Sequence, residues 1–373
     1  MKILYYIDGM HYGGAAKKLA MLSEEFIRRG HEVHIATNLY IPIGFEISEN
    51  THLHSLYLKD SYSRSRTYRL INVIKSARKI AQNIRPDIIV SVIPHVSLFV
   101  RIATLGIGIP VVFSDETSFA RKDSLVDYIV RRHLYYFASA VTILTNNDAR
   151  LLGRRIPHKV VIHNPVSVKP ISNDTCRTNT IIAVGPLSEW EIKGFDLLFA
   201  AFSGLKDDFP DWKLVLVGTK DEGSEKKVLE LAYRYGVADS LELKGFDPNI
   251  VQQFRQSSVF ALSSRIEGFS LSLVEAMSQG CACVAFRISG VIEEVTHGGK
   301  GVVLVEDGDV EGFKDGLRKC MSDRNLRDKM AIEGIECSKN YDLNAIASKW
   351  EALFNRLTQK IVKFRIYKNH RLS

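Results

Sequence analysis

Short apolar runs alternate along this chain with longer stretches in which apolar residues recur at helical spacing. Residues 14–30 and 68–84 are two such stretches, and the runs around them are rich in Val and Ile. This alternation is typical of βαβ units, in which helices cover both faces of a parallel sheet. The strands predicted for the first half are 2–7, 31–36, 88–92, 110–113, 140–144 and 160–162.

The same alternation restarts after a polar segment, 166–179, which we predict to be a linker. The chain is therefore expected to be an α/β protein with two tandem Rossmann-like, doubly wound domains, 1–165 and 180–342, that face each other across a cleft. Residues from 343 have helical spacing and precede a basic tail that ends at 373, and we expect them to pack back toward the first domain. The strands predicted for the second half are 180–184, 213–217, 241–243, 259–262, 281–286 and 301–304.

Composition places the chain among ordinary soluble proteins, since 46% of its 373 residues are hydrophobic and 25% are charged. Its five cysteines have neither disulfide nor metal-ligand spacing, which indicates a reducing compartment. The most apolar long stretch, 97–113, is interrupted by Arg101 and Pro110 and is predicted to form helix, turn and strand instead of a membrane span. With no secretory signal at the start, we expect a cytoplasmic protein.

The net charge of +8 comes from basic residues spread over the first half and the tail. Basic helices of this kind bind anionic lipid or nucleic acid, or they are simply solvated. The chain has no zinc-finger, RRM or KH pattern, so no nucleic-acid partner is expected. A peripheral contact between the first domain and the inner face of the cytoplasmic membrane stays open beside the solvated alternative.

Residues 267–275 follow an apolar strand and enter a helix that ends near Gln279 and Gly280. A helix start presents unpartnered backbone N–H groups and partial positive charge, which favours an anion there. Glu267 precedes this helix start, and Glu275 lies about one turn inside it. A ligand with phosphate in the middle and hydroxyls at both ends, such as a nucleotide diphosphate sugar, suits the arrangement.

An ordered series of motifs covers nearly the whole chain. It resembles the motif series of the retaining glycosyltransferases of family GT4, which have the GT-B fold, and in particular the bacterial surface-polysaccharide type. The first glycine pair, the E-x7-E element and its continuation, and two glycine-containing loops all follow the family order. The segments that carry the resemblance are 13–14, 161–166, 193–198, 267–280, 289–295 and 298–305.

The resemblance implies a hexosyltransferase that uses a UDP-sugar, or alternatively GDP-mannose, and a saccharide or polyprenyl-linked saccharide acceptor. It implies no metal and no other cofactor. Glu267 would hold hydroxyls of the donor sugar, Glu275 those of the ribose, and Lys193 would neutralise the leaving diphosphate. The other residues implied to bind the donor are Gly13, Gly14, Phe246, Gly268, Phe269, Ser270 and Leu271.

Two departures from the family pattern weaken the implied chemistry. The stretch 184–187 has Pro186 where relatives usually carry an arginine, and Arg265 is one possible substitute. Glu116 stands where relatives often place a histidine, and as a carboxylate it would accept a proton from the acceptor hydroxyl. Equally, Asp115 or Thr117 would cap the next helix. A degenerate protein that binds nucleotide sugar, or a partner, without turnover is therefore the alternative function.

Other site types fit less well. Residues 8–14 lack the G-x-G-x-x-G pattern of dinucleotide-dependent oxidoreductases, and no acidic residue ends the second strand. Residues 307–309 spell the metal-binding pattern D-x-D, but their place after a strand predicts a turn. We also expect no metal at the histidines, because their spacing along the chain is not that of a ligand set; they include residues 11, 31, 34, 52, 54 and 95.

Overall fold

The computed structural model describes residues 1–11, 13–59, 65–122, 124–166, 177–247 and 249–370, with side chains described as far as Gln359. The chain divides into two compact units. The N-terminal unit comprises Met1–Pro165 and the segment that begins at Leu343, and the C-terminal unit comprises Val166–Asp342. Most of the predicted linker, 166–179, lies outside the described residues, as does the end of the predicted basic tail.

The N-terminal unit contains a seven-stranded parallel sheet with the order β3-β2-β1-β4-β5-β6-β7. Its strands are β1 (Lys2–Tyr6), β2 (Glu32–Thr37), β3 (His52–Ser55), β4 (Ile88–Val92), β5 (Val111–Ser114), β6 (Ala140–Ile143) and β7 (Lys159–Val161). Its helices are α1 (Gly14–Arg28), α2 (Arg66–Ile84), α3 (Pro94–Ala103), α4 (Leu125–Ile129), α5 (Asn146–Leu152) and α13 (Leu343–His370). A π-helical turn, Val130–Leu134, and a 3-10 turn, Tyr135–Phe137, follow α4.

The two faces of this sheet carry separate hydrophobic clusters, because successive strand residues point to opposite sides. Along β1, Ile3 and Tyr5 pack on the side of α1, whereas Leu4 and Tyr6 pack on the side of α2 and α3. Helix α13 completes the first cluster with Trp350 and its neighbours. The C-terminal helix is thus part of the N-terminal core.

The C-terminal unit contains a six-stranded parallel sheet with the order β10-β9-β8-β11-β12-β13. Its strands are β8 (Thr178–Val184), β9 (Lys213–Val217), β10 (Leu241–Lys244), β11 (Ser257–Leu262), β12 (Ala282–Phe286) and β13 (Val302–Val305). Its helices are α6 (Phe195–Ser203), α7 (Glu222–Arg234), α8 (Ile250–Gln256), α9 (Leu271–Ser278), α10 (Val291–Val295), α11 (Val310–Ser322) and α12 (Arg324–Ser338).

The predicted fold class, with two Rossmann-like α/β sheets, is confirmed. Every predicted strand has a counterpart whose ends differ by at most two residues. The sequence prediction missed β3, which forms one edge of the N-terminal sheet. Among the described residues, no helix combines the length and apolar character that crossing a membrane requires.

Candidate functional site

Each sheet has one point at which successive strands are added on opposite sides. In the N-terminal sheet it lies between β1 and β4, and in the C-terminal sheet between β8 and β11. Open α/β sheets bind ligands outside the carboxyl ends of the strands at these topological switch points. The loops that follow these strands are therefore where candidate functional residues should be sought.

Lys193 and Glu267 meet at the switch point of the C-terminal sheet. Lys193 follows β8 and Glu267 follows β11, and the lysine Nζ lies 2.9 Å from the glutamate Oε1. The hydroxyl of Ser264 donates to the same oxygen at 2.8 Å. Burial lowers the pKa of Lys193, but the charge and hydrogen bond of Glu267, with a contribution from Glu189, outweigh it and raise the pKa. A cation is thus fixed at this point of the sheet.

Two glycines allow Lys193 to take this position. A Cβ at Gly185 would lie 2.7 Å from the lysine Cγ, so only glycine leaves room for the lysine stem. Gly194 has a φ of 63°, and a Cβ there would lie 1.9 Å from the Ser263 carbonyl oxygen. The loops after β8 and β11 therefore pack with almost no space between them, which holds the lysine in place.

Ser270 is the residue immediately before α9, and its backbone conformation is unfavourable. Its φ and ψ are 64° and 74°, which is the left-handed region, and a non-glycine residue there costs on the order of 1 kcal/mol or more. Its hydroxyl is buried and has no hydrogen-bond partner among the described residues. Strain and an unpaired hydroxyl thus coincide at a helix start, where backbone N–H groups favour an anion.

The other donor residues implied by the resemblance lie around this helix start. Gly268 is in the loop before α9 and Leu271 is its first residue. Glu275 is buried, with 3% of its surface exposed, so it does not lie on an exposed helix face. The ring of Phe269 packs edge-on against Tyr341, with 5.2 Å between centroids.

Phe246 lies two residues beyond β10 and is half-buried. Its place after the carboxyl end of a strand of the same sheet agrees with a binding loop, but β10 is the edge strand, on the far side of β9 from the switch point. The other predicted donor residues, Gly13 and Gly14, belong to the N-terminal unit. There Gly13 precedes α1 and Gly14 begins it.

Arg265, the suggested substitute for the arginine that Pro186 replaces, is engaged elsewhere. Its guanidinium forms two hydrogen bonds of 2.8 and 2.7 Å to the carboxylate of Asp196, and a third of 2.5 Å to the carbonyl of Glu191. Such a bidentate pair satisfies the donors that would bind phosphate. In this conformation Lys193 supplies the positive charge nearest to Glu267.

In the N-terminal unit, Glu116 forms a buried ion pair with Lys18, a residue that the sequence prediction missed. The two side chains are 3% and 4% exposed. Ser114 donates to the same carboxylate oxygen at 2.5 Å, whereas the other oxygen has no hydrogen-bond partner among the described residues. Lys18 lies one helical turn before the buried Leu22 of α1. A lysine on the apolar face of a helix indicates a buried charge that needs a partner, and this feature of the sequence could have identified it.

The capping alternative for Asp115 and Thr117 is wrong. Helix α4 is capped by Ser124, whose Oγ accepts a hydrogen bond from the third residue of the helix at 3.1 Å. Asp115 instead pairs with Arg131 at 2.8 Å and accepts a hydrogen bond from the Tyr135 hydroxyl at 2.8 Å. Buried, paired and hydrogen-bonded, Asp115 stabilises the fold beside the site.

At the switch point of the N-terminal sheet, the loop after β1 places Asp8 within 3.9 Å of His95, the second residue of α3. Interaction with His95 lowers the pKa of Asp8 against the opposing effect of burial, and a hydrogen bond from Tyr57 lowers it further. Between β4 and α3, Ile93 has a φ of 71°, which is rare for a β-branched residue. Sequence reasoning missed Asp8 and His95 because only the strand order brings them together.

Two family models match the chain. Residues 12–169 match the model described as Glycosyltransferase Family 4, and residues 170–336 match the model described as Glycosyl transferases group 1. The chain belongs to the family 4 glycosyltransferases. The resemblance inferred from its motifs is thereby confirmed.

Relatives and solved structures resemble this glycosyltransferase over nearly its whole length. The amylovoran biosynthesis glycosyltransferase AmsD of Erwinia amylovora is 24% identical over 95% of this chain and 99% of its own. The GalNAc-alpha-(1->4)-GalNAc-alpha-(1->3)-diNAcBac-PP-undecaprenol alpha-1,4-N-acetyl-D-galactosaminyltransferase of Campylobacter jejuni is 21% identical over 94% and 97%. The crystal structure of Anabaena Alr3699/HepE with UDP-glucose has a TM-score of 0.77, 18% identity and coverage of 95% and 100%, which shows the shared GT-B fold.

The two aspartates of the D-x-D pattern, Asp307 and Asp309, have structural roles in this glycosyltransferase. Asp307 accepts hydrogen bonds from the backbone amides of Ile288 and Ser289, and Asp309 caps α11 by accepting one from Gly312 at 2.9 Å. The prediction of a turn is confirmed. Both carboxylates hold backbone segments of the C-terminal unit in place.

Proposed function

We propose that this glycosyltransferase moves a hexosyl group, with retention at the anomeric carbon, from a nucleotide diphosphate sugar to a saccharide or lipid-linked saccharide in surface polysaccharide synthesis. A UDP-sugar is favoured over GDP-mannose. The observation that carries the proposal is the Lys193–Glu267 pair at the switch point, beside the start of α9. The UDP-glucose bound to the Anabaena structure and the names of the two relatives agree with it.

In this mechanism the diphosphate lies at the amino end of α9. The backbone N–H groups of the first turn and the unpaired hydroxyl of Ser270 donate to its oxygens. As the bond between the anomeric carbon and the diphosphate breaks, negative charge grows on the departing oxygen. The Lys193 ammonium stabilises that charge without reorganisation, because Glu267 and the neighbouring glycines already hold it in place.

The two glutamates bind hydroxyls of the donor. Glu267 accepts hydrogen bonds from the sugar, and Glu275 accepts them from the ribose. The base lies against the loop at Phe246. No metal or other cofactor takes part, because Lys193 supplies the charge that a metal ion provides in other transferases.

On the acceptor side, a base must receive the proton of the attacking hydroxyl. Glu116 is a candidate, but its side chain is 3% exposed and its carboxylate is already engaged by Lys18 and Ser114. His95 is 47% exposed and lies 3.9 Å from Asp8, so it is the more accessible group. We therefore propose that His95 contacts the acceptor. Glu116, in its ion pair with Lys18, would have a structural role in the N-terminal unit.

A membrane-bound acceptor fits one surface of the N-terminal unit. Around α4 and the turns that follow it, Leu125, Tyr136 and Phe137 are 75%, 62% and 59% exposed. The basic residues Arg121, Lys122 and Arg132 are exposed on the same segment. Aromatic and aliphatic side chains flanked by cations favour the interface of an anionic membrane, so we propose a peripheral contact here.

The alternative is a degenerate protein that binds nucleotide sugar or a partner without turnover, and Pro186 in place of the usual arginine supports it. The test is release of the nucleotide diphosphate from a panel of UDP- and GDP-sugars, with and without isolated lipid-linked acceptor. The transferase predicts acceptor-dependent release that Glu267→Gln abolishes. Tight donor binding with no release for any donor would establish the alternative.

A further inference from the structure

Four polar side chains share one face at the edge of the N-terminal sheet. Glu32 and His34 alternate along β2, and His52 and His54 alternate along β3. The parallel register places His34 beside His52, and alternate strand residues point to the same side, so all four lie together. Glu32 and His52 begin their strands, whereas the candidate functional site lies beyond the carboxyl ends of the strands.

His34 is the centre of this group. Its Nε2 lies 2.9 Å from the Glu32 Oε1, and its Nδ1 lies 3.0 Å from the His54 Nε2. Its ring stacks on those of His52 and His54, with centroid distances of 4.7 and 5.2 Å. One ligand atom from each of Glu32, His34 and His52 lies within 4.8 Å of the others.

The group offers two kinds of metal ligand, imidazole nitrogens and a carboxylate. A neutral imidazole has one free lone pair, and this form binds transition metals. The geometry brings such lone pairs together with a carboxylate.

We propose that Glu32, His34 and His52 bind one divalent transition ion of the zinc type. In the structure the His34 Nε2–H donates to the Glu32 carboxylate; when the ion takes the place of that proton, the His34 ring carries its proton on Nδ1 and donates it to the His54 Nε2, which holds the ring in position. The two nitrogen ligands favour zinc, cobalt, nickel or copper over calcium and magnesium, which prefer oxygen. Water completes the coordination, because Glu32 and His52 are exposed.

Binding requires small movements. Bonds of about 2.0–2.1 Å place tetrahedral ligand atoms about 3.4 Å apart, so the spacing of the three ligand atoms must adjust, and the 2.9 Å between the His34 Nε2 and the Glu32 Oε1 must widen slightly. Glu32 and His52 are exposed, so they are the side chains that would move, whereas His34 is 6% exposed and stays fixed. Glu32 would also exchange its salt bridge with Lys2, now 3.2 Å, for the metal.

The bound ion would join β3 to β2 through side chains. Because β3 is an edge strand with one neighbour, such a link limits its separation from the sheet. The proposed metal site does not take part in sugar transfer. An experiment that disproves metal binding would therefore leave the proposed transferase function untouched, and the reverse also holds.

The test uses the full chain without a histidine tag, stripped with a chelator and dialysed. Zn²⁺ is titrated by calorimetry, and Co²⁺ by its visible absorption, which is intense in tetrahedral sites. We expect one saturable ion per chain and a rise in Tm with Zn²⁺. His52→Gln and Glu32→Gln, both at exposed positions, should weaken binding at least 10-fold, and His54→Gln should weaken it about 10-fold through the orientation of His34.

The control is His133→Gln, which removes an exposed histidine outside the group. It should bind Zn²⁺ like the parent chain. Binding that is equally strong in His52→Gln and Glu32→Gln would overturn the proposal, as would the absence of saturable binding in the parent chain. Unchanged far-UV circular dichroism of the variants would exclude misfolding as the cause of lost binding.

Discussion

Asp8 and His95 lie 3.9 Å apart at the switch point of the N-terminal sheet, the position that Lys193 and Glu267 occupy in the C-terminal sheet. Each unit therefore places a carboxylate and a nitrogen base where its fold favours ligand binding. The pair in the C-terminal unit is mostly buried, whereas both members of the N-terminal pair are 47% exposed. The first arrangement suits a fixed charge, and the second suits a group that exchanges protons with a substrate.

His95→Gln is expected to lower kcat about 100-fold, because it removes the proposed proton acceptor. The affinity for UDP should not change, since donor binding is assigned to the C-terminal unit. Transfer kinetics and UDP titration by calorimetry measure the two effects. His133→Gln is the control. Weaker UDP binding with undiminished turnover would contradict the assignment.

Lys193→Met is expected to lower kcat by about 10² to 10³, because it removes the cation that stabilises the leaving diphosphate. Lys220→Met is the matched control, since Lys220 forms a similar 2.8 Å ion pair with Glu225 at the surface of the same unit. Steady-state transfer rates with saturating donor give the comparison. Equal losses in both variants would exclude a specific role for Lys193.

The same lysine predicts a pH effect on stability. Its pKa in the folded chain is raised above the ordinary 10.5, so the stability it contributes is fully present below that value and is lost as pH rises through the folded-state pKa. Urea unfolding between pH 9 and pH 12, which extends about 1.5 pH units either side of an ordinary lysine pKa, should show this decline. In Lys193→Met the alkaline decline should be smaller, and an identical decline would refute the prediction.

Ser270→Ala should separate binding from stability. The hydroxyl is buried without a partner among the described residues, so its removal should leave the free energy of unfolding unchanged or raise it slightly. UDP should bind about 10-fold more weakly, because one donor to the diphosphate is lost. Ser278→Ala, at the other end of α9, should instead keep UDP affinity, since the Ser278 hydroxyl donates to the Glu275 carbonyl. Unaltered UDP binding in Ser270→Ala would remove that hydroxyl from the site.

Lys18→Met should destabilise the N-terminal unit by about 3–5 kcal/mol, because it leaves the buried Glu116 carboxylate without its cation. The double variant Lys18→Met/Glu116→Leu should regain most of that stability, since apolar side chains then fill the space. Urea unfolding of both single variants and the double variant measures the coupling. Additive losses would show that the two side chains do not stabilise each other.

Membrane contact predicts that Leu125→Ser/Phe137→Ser reduces cosedimentation with phosphatidylglycerol vesicles several-fold. Both side chains are exposed beside basic residues, so each substitution removes apolar surface that would enter the membrane interface. Tyr233→Ser removes an equally exposed aromatic ring, 72% exposed, from the other unit and is the control. Binding should also fall at high salt. Equal sedimentation of all three proteins would rule out this surface.

The sequence was sufficient for most of the fold because its central strands are buried on both faces. A strand such as β4, Ile88–Val92, is buried at every position and reads as a continuous apolar run. The edge strand β3 has only Leu53 as an apolar residue in its four positions, and none of the four is buried, so no hydrophobic pattern marks it. Missing β3 also concealed the histidine group, which depends on its register with β2.

Strand order also limits how much of the candidate site a sequence can indicate. Motif order pointed to Lys193 and Glu267, but their contact depends on which strands lie side by side. Lys18 and Glu116 are 98 residues apart, and no local pattern joins them. Ser270 is among the donor residues that the resemblance implies, whereas its left-handed conformation at the start of α9 is visible only in the structure.

Because α13 returns to the N-terminal core, the N-terminal unit is built from both ends of the chain. The C-terminal unit is an insertion within the N-terminal unit, and the two ends of the insertion meet, since Val166 and Asp342 form a β-bridge. A segment with adjoining ends is separable with little loss of chain entropy at the junction. Recombination can therefore replace the C-terminal unit as a whole. A stop codon before Trp350, in contrast, would remove part of the core of the N-terminal unit.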